Sequence, residues 1–247
     1  MHNEPTRIVL VTGGSRGIGA EVARQFADPD THVIVNYREK AKRADTIAEA
    51  IRDAGGHAST MGADISDHTD ATAMIDAIGS RFGRLDALIL NASGGLERDA
   101  DPGYAMRLNR DAQRRLAQLA LPLMPVDGRI VFVTSHQAHF FPNKAVPKGY
   151  SAVAASKRAG ETALYAMRSA FNQAGVRLTV VSGDMIEGTI IVRLLERRDP
   201  GEVDARRAHG TLPTVDEFAA AIVGAAVSPS PQGVIYVGGA DYLMTAA

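Results

Sequence analysis

The 247-residue chain contains no cysteine and no tryptophan. The missing cysteine excludes a disulfide framework, thiolate metal sites and a cysteine nucleophile. Charge of one sign is also lacking. With 27 basic against 28 acidic side chains the net charge is −1, which argues against nucleic acid or an anionic membrane as the main partner. No apolar run approaches the ~18 residues of a bilayer span. Met1–Arg7 is polar, contains Pro5 and has no basic stretch followed by an apolar one, so the expectation is a cytoplasmic protein without a secretory signal.

What is present is a β/α alternation. Short, nearly continuous apolar runs occur at Ile8–Thr12, His32–Asn36, Leu85–Asn91, Arg129–Ser135, Arg177–Ser182 and Gly233–Val237. The first five suit strands buried on both faces of a parallel sheet. Helix-like stretches lie between them at Gly17–Ala27, Ala41–Ala54, Thr69–Phe82, Gly103–Leu121, Val153–Ala174 and Thr214–Val227. This order predicts an α/β fold, a Rossmann-like doubly wound parallel sheet in three layers, as one domain over residues 1–247. A segment from Asp184 to Leu212 fits less well. It carries Arg193, Arg197, Arg198, Arg206 and Arg207 around Pro200 and Gly201, and reads as two short helices outside the sheet. An excursion after a strand's C-terminal end is where such a domain builds a substrate cover; the alternative is a solvated helix pair with arginines facing Glu196, Glu202 and Asp204.

The first strand runs into Thr12-Gly13-Gly14-Ser15-Arg16-Gly17-Ile18-Gly19 and then a helix. Glycines permit a tight turn and close backbone approach, and the helix N-terminus offers free N–H groups to a pyrophosphate. The second strand ends in Asn36-Tyr37-Arg38 rather than in the carboxylate that would hold an unmodified ribose. Arg16 and Arg38 instead suit a 2′-phosphate, so NADP(H) is the expected cofactor.

These motifs resemble the short-chain dehydrogenase/reductase family. The Thr12–Gly19 loop is similar to its TGxxxGxG motif, Asp64-Ile65 to its adenine-contacting pair, and Leu90-Asn91-Ala92-Ser93-Gly94 to its NNAG segment. Asn109 matches the helix asparagine that supports a proton-relay water, Ser135 the catalytic serine, and Lys157 the catalytic lysine. Val234–Gly239 is similar to the last strand and its Gly-Gly end. The resemblance implies cofactor contacts from Gly13, Ser15, Arg16, Gly17, Ile18, Gly19, Asn36, Tyr37, Arg38, Asp64, Ile65, Asn91, Ala92, Ser93, Lys157, Gly183 and Thr189. It also implies a small-molecule carbonyl substrate. The helices Gly103–Leu121 and Val153–Ala174 resemble the family's dimer-forming pair, which implies a homodimer or homotetramer; the small residues Ala154, Ala155, Ala159, Gly160 and Ala163 permit close helix approach.

One departure decides the chemistry. The family's proton-donating tyrosine stands four residues before the lysine, where this chain has Val153. The serine-to-lysine stretch is longer than usual, and Ser182-Gly183 replaces Pro-Gly. Tyr150, seven residues before Lys157, is the favoured replacement donor, with Ser135, Lys157 and Asn109 completing the catalytic set. On a regular helix it would lie about 10 Å from the lysine along the axis, so the role requires Tyr150 in a loop. His136 and His139 are a second candidate pair, and Lys157 or a water a third. Glu187 is a further residue that could reach the substrate. His136-x-x-His139 has no third partner at metal-binding spacing, so no metal is expected. The leading expectation is an NADPH-dependent ketone or aldehyde reductase. The alternatives are a catalytically silent NADP(H)-binding regulatory or assembly protein and a non-redox lyase or epimerase.

Overall fold

The structure is a computed structural model that describes residues 5–96, 101, 103–147, 149–198, 200–208, 210–228 and 233–244. Seven strands run parallel in one sheet: β1 (Arg7–Val11), β2 (Thr31–Tyr37), β3 (His57–Gly62), β4 (Ala87–Leu90), β5 (Arg129–Ser135), β6 (Arg177–Gly183) and β7 (Val234–Val237). Their order is β3-β2-β1-β4-β5-β6-β7. The chain reverses its direction of winding between β1 and β4, which pair through Val9–Ala87, Leu10–Leu88 and Val11–Ile89. In an open sheet of this kind ligands bind at that switch point, beyond the strands' carboxyl ends.

Strand alternation divides the core between two faces. Ile8, Leu10, Leu88, Leu90, Ile130 and Phe132 point to one side. They pack there against α3 (His68–Phe82), α5 (Gln113–Ala120), α7 (Ser151–Tyr165) and α8 (Arg168–Gln173). Val9, Val11, Val33, Val35, Ile89, Val131 and Val133 point to the other, under α1 (Gly17–Gln25), α2 (Ala41–Asp53) and α11 (Val215–Val227). Burial on both faces is why the central strands read as unbroken apolar runs. Short helices α4 (Tyr104–Met106), α6 (His136–His139) and α12 (Ala240–Met244), with α9 (Ile190–Arg198) and α10 (Pro200–Ala208), lie at the edges of this framework. Among the described residues no helix is long and apolar enough to cross a membrane.

Three expectations are corrected. The six expected strands omit β3, whose sequence His-Ala-Ser-Thr-Met-Gly buries only Ala58 because it is an edge strand with one neighbour. The helix expected over Val153–Ala174 is two, α7 and α8, separated at Ala166 and Met167. The expected helix Gly103–Leu121 is present in pieces: α4, a π-helical turn Arg107–Ala112, α5 and a 3-10 turn Leu121–Leu123.

The π-turn presses Asn109 against α7, and Gly160 makes this possible. A Cβ at Gly160 would lie 2.0 Å from the Asn109 carbonyl oxygen. Gly160→Ala must therefore separate two packed helices, at a cost of at least about 3 kcal/mol. A melting temperature lower by roughly 6 °C or more is expected in a thermal melt. Gly224, in α11 with open space around it, is the internal control. Gly224→Ala is expected to add about 1 kcal/mol and raise the melting temperature by roughly 2–4 °C.

Candidate active site

The glycine-rich turn fits a dinucleotide. Gly13 and Gly17 have φ of 63° and 55°, the left-handed region that favours glycine. A Cβ on Gly19 would lie 2.4 Å from Asn91 Nδ2 and 2.5 Å from the Gly13 oxygen, so helix α1 can approach the strand ends only with glycine there. No side chain caps α1 at Arg16 and its first turn holds no acidic residue. Its N-terminal N–H groups and dipole are thus left for an anion. Thr12 stitches the two sides of the crevice: its hydroxyl donates to the Ile89 carbonyl and accepts from the N–H groups of Asn91 and Ala92, each at 3.0 Å. Asn91 returns a bond from Nδ2 to the Thr12 carbonyl at 2.9 Å.

At the adenosine end, Asn36 is buried and spends its amide inside the protein. Its Oδ1 accepts from Gly13 N at 3.3 Å, and Nδ2 donates to the Met61 and Ala63 carbonyls at 3.2 Å each. It braces the wall that Tyr37 and Arg38 continue. Asp64 closes a turn by accepting from Ser66 N and Oγ at 2.8 and 2.6 Å. Arg115 holds that turn through the Ile65 and Ser66 carbonyls, a contact that no sequence motif announces.

At the opposite end, β5 delivers Ser135 and α7 delivers Lys157. Ser135 Oγ accepts from Ala138 N at 3.3 Å as the cap of α6. The Tyr150 hydroxyl lies 3.3 Å from the same Oγ. Tyr150 is not in a free loop, as its expected role required: it is the N-terminal cap residue of α7, with φ −96° and ψ −13°, and its carbonyl accepts the first helical bond from Ala154 N at 2.9 Å. The ring packs with Ala138, Val153 and Ala154, against which Leu96, Phe141, Val146 and Ile191 also lie. Burial raises the Tyr150 hydroxyl pKa above its ordinary value, and the Ser135 hydrogen bond partly offsets this. Lys157 donates to the Val133 carbonyl at 3.3 Å, and burial lowers its ammonium to about 8.

Asn109 sits in the π-turn with its amide fully employed. Nδ2 donates to the Gly94 carbonyl and to Ser156 Oγ, both at 2.9 Å, and Oδ1 accepts from Gly94 N at 3.3 Å. Ser156 passes its own proton to the Val153 carbonyl at 2.9 Å. This links the β4 loop to the helix turn that carries Lys157. Ser156 is a residue the sequence reading passed over, although it adjoins the lysine.

Both candidate histidines are committed elsewhere. His136 is fully buried; its Nε2 faces the Gly238 carbonyl at 3.1 Å and its Nδ1 the Ser182 hydroxyl at 2.8 Å. A carbonyl only accepts, so Nε2 carries the proton and Nδ1 accepts from Ser182. Desolvation lowers its pKa, which favours this neutral ring. His139 pairs with the buried Glu161 at 2.9 Å and with the Tyr236 hydroxyl at 3.0 Å. Among the described residues no group of three or more His, Asp or Glu converges as metal donors.

The 184–212 excursion has a small core of its own, Met185, Val192, Leu195, Val203 and Leu212. Thr189 Oγ1 donates to the Ile186 carbonyl at 2.8 Å and accepts from Val192 N, in the first turn of α9, at 3.4 Å. Glu187 is held by Arg207, which also reaches Glu196 at 2.7 Å. Gly183 ends β6 where a Cβ would meet the Phe218 ring at 2.7 Å. One buried ion pair, Arg206 with Asp184, fastens α10 to the end of β6.

A glycine-rich turn at the switch point of a parallel sheet, with Ser135 ending β5 and Lys157 on α7, points to a class of nucleotide-dependent α/β proteins. The family model for short chain dehydrogenases matches residues 7–199, and the chain belongs to that family. It is similar to the 1-cyclohexenylcarbonyl-CoA reductase of Streptomyces collinus, with 31% identity over 189 residues, covering 73% of this chain and 65% of that one. The match thus spans just under two thirds of that relative's length. The trihydroxynaphthalene reductase of Colletotrichum orbiculare is 30% identical over 224 residues, covering 87% of this chain and 75% of that one. The gluconate 5-dehydrogenase of Burkholderia cenocepacia, solved in complex with NADP and tartrate, superposes with a TM-score of 0.82. It is 25% identical, covering 99% of this chain and 98% of that one. A short chain dehydrogenase from the same organism, in complex with NADP, gives a TM-score of 0.78 at 27% identity, covering 94% and 96%.

The Arg206–Asp184 pair yields a stability prediction. Arg206→Met leaves the Asp184 carboxylate buried without its counter-charge, at a cost of about 3 kcal/mol. A fall in melting temperature of roughly 6–12 °C is expected. Adding Asp184→Asn to that variant recovers part of the loss. A single variant that melts with the parent protein would contradict a closed, buried pair.

Proposed function

We propose that the chain is an NADPH-dependent reductase of ketones or aldehydes in which Tyr150 replaces the missing tyrosine as proton donor. The 3.3 Å approach of its hydroxyl to Ser135 carries this reading. The named reductases among the relatives and the NADP-bound neighbours support the reaction class and the cofactor. The main-chain donors of Ser15, Arg16, Gly17 and Ile18 would hold the pyrophosphate, and Arg16 and Arg38 the 2′-phosphate. Ala92, Ser93, Gly183 and Thr189 would line the path to the nicotinamide, which supplies the hydride when bound.

Ser135 Oγ accepts from Ala138 N–H and shares a hydrogen bond with the Tyr150 hydroxyl; a carbonyl oxygen seated beside the pair would take the Ser135 proton's hydrogen bond in place of that shared one. Tyr150 gives its proton to the developing alkoxide, and its burial keeps it protonated at neutral pH. Lys157 donates to the Val133 carbonyl, two residues before Ser135 on β5, and Asn109 and Ser156 keep its helix turn in place. The apolar surroundings of Tyr150, from Leu96, Phe141, Val146 and Ile191, suit a carbonyl flanked by a hydrophobic body. The excursion would close over that body as a cover. We also propose assembly as a homodimer or homotetramer through α7, where Ala155, Ala159 and Ala163 remain half-exposed on one helical face. Val153 favours a second reading, a cofactor-binding protein without turnover. Tight NADPH binding without oxidation across a broad carbonyl panel would select it.

Tyr150→Phe is expected to lower kcat for carbonyl reduction by about 10²- to 10⁴-fold while leaving NADPH affinity near the parent value. Undiminished turnover would remove Tyr150 from the mechanism. The pH profile follows from Lys157. Its ammonium is present below about 8 and is lost as pH rises through that value, while Tyr150 stays protonated. The kcat/KM for NADPH, which reports the free enzyme, is therefore expected to fall above about pH 8. In Lys157→Arg the rate is lower but this alkaline limb disappears; a parent profile flat well past pH 8 contradicts the assignment.

A further inference from the structure

We propose that Tyr104 and Glu39 together set the nucleotide preference of this chain by acting on Arg38: Tyr104 holds the guanidinium ready for a 2′-phosphate, and Glu39 takes that phosphate's place when it is absent. The inference rests on the NADP(H) reading above and assigns two residues to it that no motif points to.

Arg38 follows the last residue of β2, and 45% of its side chain is exposed. An arginine so placed ordinarily samples many rotamers, and a ligand that fixes it must offset that lost entropy. Here the side chain already has two partners from different elements. Its Nη1 donates to the Tyr104 hydroxyl, and the guanidinium carbon lies 5.8 Å from the centre of the Tyr104 ring. Its Nη2 lies 2.9 Å from Glu39 Oε1. Partial burial works against the cation, but Tyr104, Glu39 and Asp64 together hold its pKa above the ordinary value. Asp64 lies two residues beyond the end of β3, the strand beside β2, and its charge also favours the Arg38 cation.

Tyr104 is itself well anchored. Its N–H donates to the Asp101 carbonyl at 2.8 Å, and Asp101 Oδ1 accepts from Gly103 N at 3.1 Å. The Asp101 carboxylate also pairs with Arg107, and these bonds hold its pKa below the usual carboxylate value. Tyr104 begins the helical run that carries Asn109, 66 residues beyond Arg38 in sequence. It therefore closes on the arginine from the β4 side of the crevice, opposite β2.

The two partners pull in opposite directions. Glu39 neutralises Arg38 and repels a phosphate dianion, yet its carboxylate is a good acceptor for an unmodified ribose hydroxyl. Tyr104 leaves the arginine charged and fixed, which serves a phosphate and offers nothing to a neutral ribose. Tyr104 is thus a positioning residue that acts through Arg38.

The test is fluorescence titration of the full chain, without carbonyl substrate, with NADPH and separately with NADH. Tyr104→Phe is expected to weaken NADPH binding roughly three- to tenfold and leave NADH unchanged. Glu39→Gln is expected to tighten NADPH binding by about threefold and not to tighten NADH. In an Arg38→Met background, Tyr104→Phe is expected to have no further effect, because the interaction it removes is already gone. A thermal melt matching the parent shows that each surface variant is folded. The clasp is overturned if Tyr104→Phe shifts both nucleotides equally, or acts undiminished on the Arg38→Met background, while the parent still prefers NADPH. A parent protein that prefers NADH overturns the cofactor reading itself, and the two failures are distinct.

Discussion

At 3.3 Å, the hydroxyl of Tyr150 meets that of Ser135 across the stretch between α6 and α7, and much of the local sequence follows from bringing them together. With valine at 153, the tyrosine that reaches the serine stands three residues earlier, at the N-terminal cap of α7. The chain supplies it from the residue before α7, and Val153 becomes part of the apolar bed on which the ring lies. Extending a surface loop costs little chain entropy, so placing the tyrosine at this position is thermodynamically cheap. What it requires is a firm base for the loop. His139, bonded to the buried Glu161 on α7 and to Tyr236 on β7, provides that base at the end of α6.

The same region depends on polar groups that are satisfied across elements rather than within them. Thr12 joins β1 to the turn after β4. Asn109 joins that turn to Ser156 on α7, and Gly160 lets the π-turn come close enough for this to happen. Each bond is modest in net terms, but a buried group left without its partner is costly. These links keep the Ser135, Lys157 and Tyr150 side chains on one rigid framework. The 184–212 segment is built differently: its own small core is tied back by a buried ion pair at Asp184.

The central strands and the glycine-rich turn were legible because their signals are local. Burial on both faces writes a continuous apolar run, and a pyrophosphate turn needs glycines at fixed offsets. β3 escaped notice since an edge strand that buries only Ala58 carries no such run. The π-turn was invisible because it is stabilised by tertiary bonds from Asn109 and Gln113, not by a helical period. The histidines after Ser135 invited a catalytic reading from proximity in sequence. Their ring nitrogens go instead to Ser182, Gly238, Glu161 and Tyr236, partners 22 to 102 residues away. Tyr104 and Arg38 are separated by 66 residues, and nothing in either local pattern joins them.

The central claim is that a tyrosine from outside the catalytic helix completes this site. The most direct measurement is a crystal structure with NADP, read at the Tyr150 hydroxyl. The account predicts that oxygen within hydrogen-bonding distance of Ser135 Oγ and facing the nicotinamide ring, with no other proton donor nearer. A Tyr150 ring turned away from the nicotinamide, with a different side chain beside it, would contradict the account.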